Sequence, residues 1–196
     1  MTVSTVFLLS PANLSGKRGA SLLAPAAKSA LRDQLDSEQG AALGEVFSFV
    51  SSLYFRGKAA YAQAFGHAAR GGESALVMTA GGGLCPLQLR ITRQRLEAWQ
   101  QVQVSERNPH FTAPLVRHAS ELLDSAEADA RFVLLGSVAS RKYVGPLLEV
   151  FGPRLLYPAR FAGLGDMSRG ALLLRAVRDG QELEYASVSV SRGAFD

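Results

Sequence analysis

The stretch FVLLGSVASRKYVGPLLEVFGPRLLY, from Phe132 to Tyr157, decides the fold. Phe132 to Leu135 is an apolar run of strand length, and the small polar residues of Ser137 to Ser140 break it into a turn. Lys142 to Val150 then reads as a helix ending at Gly152, and Arg154 to Tyr157 as the next strand. Strand, helix and strand in so short a span make a βαβ unit, whose two strands run parallel. Pro146 lies inside the helix and is expected to kink or shorten it, because it lacks an N–H and crowds the preceding turn.

Two other runs extend the pattern outward. Val3 to Leu9 is a strand stopped at Ser10-Pro11, and Ala75 to Thr79 is a strand followed at once by Gly81-Gly82-Gly83. Three such runs, each followed by Gly, Ser or Pro, predict an α/β fold, with mixed α+β as the neighbouring class. The expected architecture is a single compact domain over residues 1–196, with a central, mostly parallel sheet flanked by helices. No repeat, low-complexity tract or linker divides it. Residues 13–21 read as a polar loop with Lys17 and Arg18 at its tip. Pro25 can open a helix through Leu35, and Leu43, Val46, Phe47, Val50 and Leu53 share a helical face. A further helix is expected from Lys58 to Ala69, ended by Gly71-Gly72, and Thr112 is a plausible N-cap for a helix carrying Leu115 and Leu122. Residues 90–104 fit a helix through Ile91, Leu96 and Trp99, or a strand through Val102 and Val104. At the C-terminus, Ala171–Val177 and Leu183–Val190 fit a hairpin about Asp179-Gly180. A helix from Met167 to Arg178, capped by Asp166 and ended by Gly180, fits as well.

Composition narrows the function classes. The chain has 196 residues, 47% hydrophobic and 19% charged, enough for one well-buried core. The lone Cys85 cannot form an intramolecular disulfide, which fits a reducing cytoplasm. Val3 to Leu9 has no basic start and is too short for a signal sequence, and no apolar stretch approaches the ~20 residues of a membrane helix. A cytoplasmic protein that does not enter the membrane is expected; its oligomeric state is left open. The net charge of +4 and the excess of arginine over lysine fit DNA or another phosphate-bearing ligand, and fit an ordinary basic surface equally. His67, His110 and His118 do not fall at metal-ligand spacings with one another or with Cys85, so no metal is expected. Cys85, between Leu84 and Pro86, reads as buried rather than nucleophilic. No dinucleotide fingerprint, P-loop or nucleophile elbow occurs, so no cofactor is implied.

The candidate site lies in clusters at the predicted ends of apolar segments. They are Ser10-Pro11-Ala12, Phe55-Arg56-Gly57, Gly82 to Leu87, Val138 to Tyr143, and Gly165-Asp166-Met167-Ser168-Arg169. Ser10, Asn13 and Gly83 would bring backbone and small polar groups close to a ligand, although the glycine triplet reads equally as a tight turn. Ser140, Arg141 and Lys142 open a helix whose free N–H groups suit an anion, or Ser140 simply caps it. Tyr143 would stack on a base or pack in the core. Asp166 would cap a helix, pair with Arg169, or act as a general base, and Ser168 shares its loop. Lys17, Arg18, Arg56, Lys58, Arg160 and Arg169 either converge on one basic groove or scatter over unrelated faces.

In order and content these clusters resemble the YaaA family, associated with resistance to peroxide stress. The family's strand into Ser-Pro-Ala is similar to Ser10-Pro11-Ala12, its Phe-Lys-Gly and Tyr to Phe55-Arg56-Gly57 and Tyr61, and its Gly-Val-Leu-Arg-Pro-Leu to Gly82–Leu87. Its Leu-Ala-Ser-x-x-Tyr resembles Val138–Tyr143, and its Gly-x-Met-Ser-Arg resembles Gly165–Arg169. The chain departs from that pattern at Asn13, Cys85, Gln88 and Arg141-Lys142. The resemblance implies a compact α/β domain with a positive groove, DNA binding, and protection under peroxide stress. An enzyme acting on a nucleotide or nucleobase in the same cleft is the alternative, and a protein-interaction module the second alternative.

Overall fold

A computed structural model describes residues 3–24, 28–51, 53–68 and 72–188. The first half contains β1 (Thr5–Leu9), α1 (Lys17–Leu23), α2 (Ala30–Asp36), β2 (Ala41–Ala42), α3 (Leu43–Ser51), α4 (Leu53–Phe65), β3 (Ala75–Thr79), β4 (Gly83–Pro86), β5 (Arg90–Ile91) and α5 (Arg93–Gln100). There follow α6 (Pro109–Ser125), β6 (Arg131–Leu135), α7 (Arg141–Phe151), β7 (Leu155–Pro158), α8 (Asp166–Asp179) and β8 (Tyr185–Ser187). The main sheet has the order β4-β3-β1-β6-β7-β8. β3, β1, β6 and β7 are parallel, β4 pairs antiparallel with β3, and β8 pairs antiparallel with β7.

Helices cover both faces of this sheet, which is why its inner strands are apolar throughout instead of alternating. Phe7, Leu9, Val77, Val133 and Leu135 pack toward α1 to α5 and α8. Val6, Leu8, Met78, Phe132 and Leu134 pack toward α6 and α7. The result is one α/β domain of three layers.

Local structure departs from the sequence reading where burial overrides propensity. Lys17 and Arg18 are not at a loop tip: they occupy the first turn of α1, which forms because Leu22 reaches the core. Pro25 lies outside the described residues, and α2 starts at Ala30, where Ser29 Oγ accepts the Arg32 N–H. α4 begins at Leu53, earlier than Lys58, because Tyr54, Phe55 and Lys58 all bury; it ends at Phe65, and Gly71 lies outside the described residues. Residues 93–100 are helical, capped by Thr92, and Val102 and Val104 join no strand. Asn108, not Thr112, caps α6: its Oδ1 accepts the His110 N–H, and Pro109 takes the first turn. α7 runs past Pro146 to Phe151.

The hairpin about Asp179-Gly180 does not form. Leu172, Leu173 and Ala176 bury at helical spacing, so 166–179 is helix, and Gly180 ends it with φ 64°. The antiparallel C-terminal pair is β8 against β7. Of the expected strand Leu183–Val190, Ser189 and Val190 lie outside the described residues.

α4 and α8 meet backbone to backbone. A methyl on Gly170 would come within 2.9 Å of Tyr54 Cα and 3.0 Å of the Leu53 carbonyl oxygen, and one on Gly57 within 2.8 Å of the Gly170 carbonyl oxygen. Neither contact is the flexible end of a side chain, so the helices would have to separate. Gly170→Ala should therefore destabilise the domain by ~1–3 kcal/mol, read as a lower urea midpoint at unchanged slope. An unchanged midpoint would show that the two helices slide apart freely.

Candidate functional site

The strand order reverses between β1 and β6, because the chain goes first from β1 to β3 on one side and later to β6 on the other. In such sheets a crevice opens at the carboxyl ends of the strands on either side of the reversal. A cavity of about 450 Å³ lies there. Pro11 to Ser15 form one wall directly after β1, Ala80 closes it above β3, and Lys142 and Tyr143 enter from the first turn of α7. Phe47 of α3 and the segment around the end of α5, including Trp99, Gln100 and Gln103, complete it.

The walls are aromatic and hydrogen-bonding. Trp99 and Tyr143 are buried apart from the surfaces they turn to the cavity. Tyr143 packs edge-on against Phe111, with ring centroids 6.1 Å apart, and burial pushes its hydroxyl up to about 12. It is therefore a neutral donor at physiological pH. Lys142 is exposed, with its ammonium 5.1 Å from the Tyr143 ring centroid. The wall after β1 is held by its own side chains: Asn13 Oδ1 accepts the Ser15 N–H at 3.0 Å, and Gln100 Nε2 donates to the Leu14 carbonyl at 3.3 Å. Ser140 is the N-cap of α7, but its side chain accepts no backbone N–H.

Next to this wall lies a buried lysine. Lys58 is 1% exposed, and its ammonium donates to the Ser10 carbonyl at 2.5 Å and to Ser10 Oγ at 2.9 Å. It lies 4.4 Å from the Tyr54 ring centroid and 5.0 Å from that of Phe55. Among the described residues no carboxylate is within ion-pairing distance. Burial brings the amine down to about 7, and Asp166 opposes this only through longer-range attraction. Ser10 Oγ in turn donates to the Leu135 carbonyl at 3.3 Å, which ties the ends of β1 and β6 together.

Of the predicted site residues, Asn13, Lys142 and Tyr143 line the cavity. Ser10 and Lys58 form the buried pair behind its wall, so Lys58 is not a surface phosphate contact. Asp166 and Arg169 pair with each other at 3.6 Å, and Arg169 Nε donates to the Phe161 carbonyl at 3.3 Å. Arg141 pairs with Glu106 at 3.3 Å, while Arg56, Arg160 and Ser168 are exposed elsewhere. Arg18 donates to the Phe49 carbonyl at 3.5 Å, and Lys17 is exposed beside it in sequence. Gly83, with φ 67°, closes the β3–β4 turn, and a Cβ there would meet the Pro114 carbonyl. Cys85 is buried, which pushes its thiol up, and donates to the Gly82 carbonyl at 3.4 Å. Arg18, Lys58, Arg141 and Arg169 thus each make a contact of their own, to Phe49, Ser10, Glu106 and Asp166. Trp99, Gln100 and Gln103 were not among the expected site residues; the only signal was a single tryptophan in a segment of mixed periodicity. Among the described residues no group of three or more His, Cys, Asp or Glu is placed to hold a metal ion. No described helix is long and apolar enough to cross a membrane.

Comparison of the chain with protein-family models, with curated proteins and with solved structures finds no match in any of the three.

The buried amine makes stability depend on pH in a defined direction. Between about pH 7 and the ordinary lysine value of 10.5, the unfolded chain holds a proton that the folded chain does not. Stability should therefore rise with pH across that window, by up to ~1.4 kcal/mol per unit, and lose this gain as pH falls toward 7. Lys58→Met should abolish that slope when urea unfolding is compared at successive pH values. Parallel profiles for the two proteins would show that Lys58 stays charged.

Proposed function

We propose that the cavity at the carboxyl edge of β1 and β6 binds a nucleotide or nucleobase. The observation that carries this reading is an aromatic-walled cavity of nucleotide size at the reversal of strand order. The base would stack on Trp99 or Tyr143. The anionic part would meet Lys142 and the free N–H groups at the start of α7, where the helix dipole favours negative charge. An enzyme acting on the bound nucleotide is the catalytic form of the same reading. Its titratable lining groups are then Lys142 and Tyr143, since Asp166 stands outside the cavity.

The second reading is nucleic-acid binding, and one observation favours it. The cavity wall ending at Ser15 leads within two residues into exposed Lys17 and Arg18, which would meet phosphates beside a base held in the cavity. Kinship with the YaaA family and protection under peroxide stress belong to this reading. Its support is that two of the five clusters carrying the resemblance, Ser10-Pro11-Ala12 and Val138–Tyr143, border the cavity.

Trp99 is the sole tryptophan, so its fluorescence reports on the cavity directly. Adenosine monophosphate should quench it saturably, and Lys142→Ala should weaken that binding by roughly tenfold. If DNA binds instead, retention should fall steeply with salt, by about one unit of log–log slope per phosphate neutralised. Replacing Lys17 and Arg18 together should then flatten the slope. A protein that shows neither saturable quenching nor salt-sensitive retention would overturn both readings.

A further inference from the structure

We propose that a phosphate-type oxyanion binds at the junction of α4 and α8, between the Tyr54 hydroxyl and the Arg169 guanidinium, in place of the Asp166 carboxylate. The site is separate from the cavity, since neither Tyr54 nor Arg169 lines it, and it does not rest on the nucleotide reading.

The first observation is an orphaned hydroxyl. Tyr54 is 5% exposed, and its OH is the buried side-chain polar atom that has no hydrogen-bond partner among the described residues. Such a group costs free energy unless something meets it, and native proteins seldom leave one unmet. The close approach at Gly57 and Gly170 presses Tyr54 against the first turns of α8. Burial pushes the phenol up to about 12 against the nearby Arg169 guanidinium, which approaches the phenol oxygen as a weak donor, so the O–H stays protonated and has no acceptor of its own.

The second observation is an excess of positive groups over acceptors. The Arg169 side chain is 11% exposed, with its guanidinium 5.6 Å from the Phe161 ring centroid. Lys58 stands 4.4 Å from the Tyr54 ring centroid. Gly165, the N-cap of α8, offers no side-chain acceptor to the helix amides, and the space around its Cα is open. One acid faces this group: Asp166, which is 72% exposed and reaches Arg169 only at 3.6 Å, too long for a good hydrogen bond. Among the described residues no Glu, His or further Asp side chain makes a hydrogen bond or ion pair with Tyr54, Lys58 or Arg169. A water would satisfy the phenol but leave the Arg169 guanidinium facing a single loose carboxylate. A tetrahedral oxyanion satisfies both needs, accepting from the phenol, from the guanidinium and from the amides at the start of α8.

The probe is inorganic phosphate at constant ionic strength, followed by calorimetry and by thermal unfolding. Saturable binding is expected in the wild type. Arg169→Gln should lower affinity by about tenfold or more and Tyr54→Phe by several-fold, since each removes a donor. Asp166→Asn should tighten binding, because it removes the competing carboxylate from an exposed position. Lys142→Ala should leave it unchanged. The proposal is overturned if Asp166→Asn weakens binding or leaves it unaltered, or if the wild type shows no saturable binding up to tens of millimolar phosphate. It is also overturned if Lys142→Ala abolishes binding while Arg169→Gln retains it, an outcome that moves the anion into the cavity and leaves the nucleotide reading standing.

Discussion

The inner strands β1 and β6 are buried on both faces, and their backbone N–H and C=O groups are consumed by parallel pairing with their neighbours. A strand so placed has almost no room for polar side chains along its length, since an unpaired polar group there would go unsatisfied. Polar chemistry is therefore displaced to the strand ends. Parallel pairing sends β1, β3, β6 and β7 out at the same edge, so the segments following each of them become neighbours. The cavity, the Ser10–Lys58 pair and the Tyr54–Arg169 junction are all consequences of that constraint.

The Ser10–Lys58 pair shows how the edge is held together. A lysine buried without a carboxylate is costly as a cation, and the fold meets that cost with two oxygen acceptors from one residue and two aromatic faces. In return, α4 is anchored to the end of β1 at the residue that precedes the cavity wall. Ser10 passes the link on to Leu135 at the end of β6. The strand ends on either side of the order reversal are thereby fixed to each other and to a helix packed on the sheet, so the cavity wall does not depend on loop conformation alone.

Glycine at the α4–α8 contact has the complementary role. Because Gly57 and Gly170 allow backbone to meet backbone, the first turns of the two helices approach closely, and Tyr54, Lys58, Asp166 and Arg169 form one cluster. Larger residues would hold the helices apart and dissolve that cluster. In the linear sequence these glycines read only as members of Phe-Arg-Gly and Ser-Arg-Gly triplets, where a turn or a helix end is the simpler interpretation.

The sequence by itself determined the layered α/β fold and all four of its parallel strands to within two residues. An apolar run of strand length followed at once by Gly, Ser or Pro has few other physical solutions. It also determined that Cys85 is buried. The helical state of residues 166–179 was decided by tertiary structure, because Leu172, Leu173 and Ala176 have a core to enter that turn propensity cannot reveal. So was the fate of each charged residue. Lys58 and Arg56 are two positions apart on one helix, yet one is sealed beneath Ser10 and the other faces solvent. Which side chains share the cavity was likewise settled only in three dimensions, since Asn13, Trp99 and Tyr143 are joined by sheet order, a long-range property that no local pattern encodes.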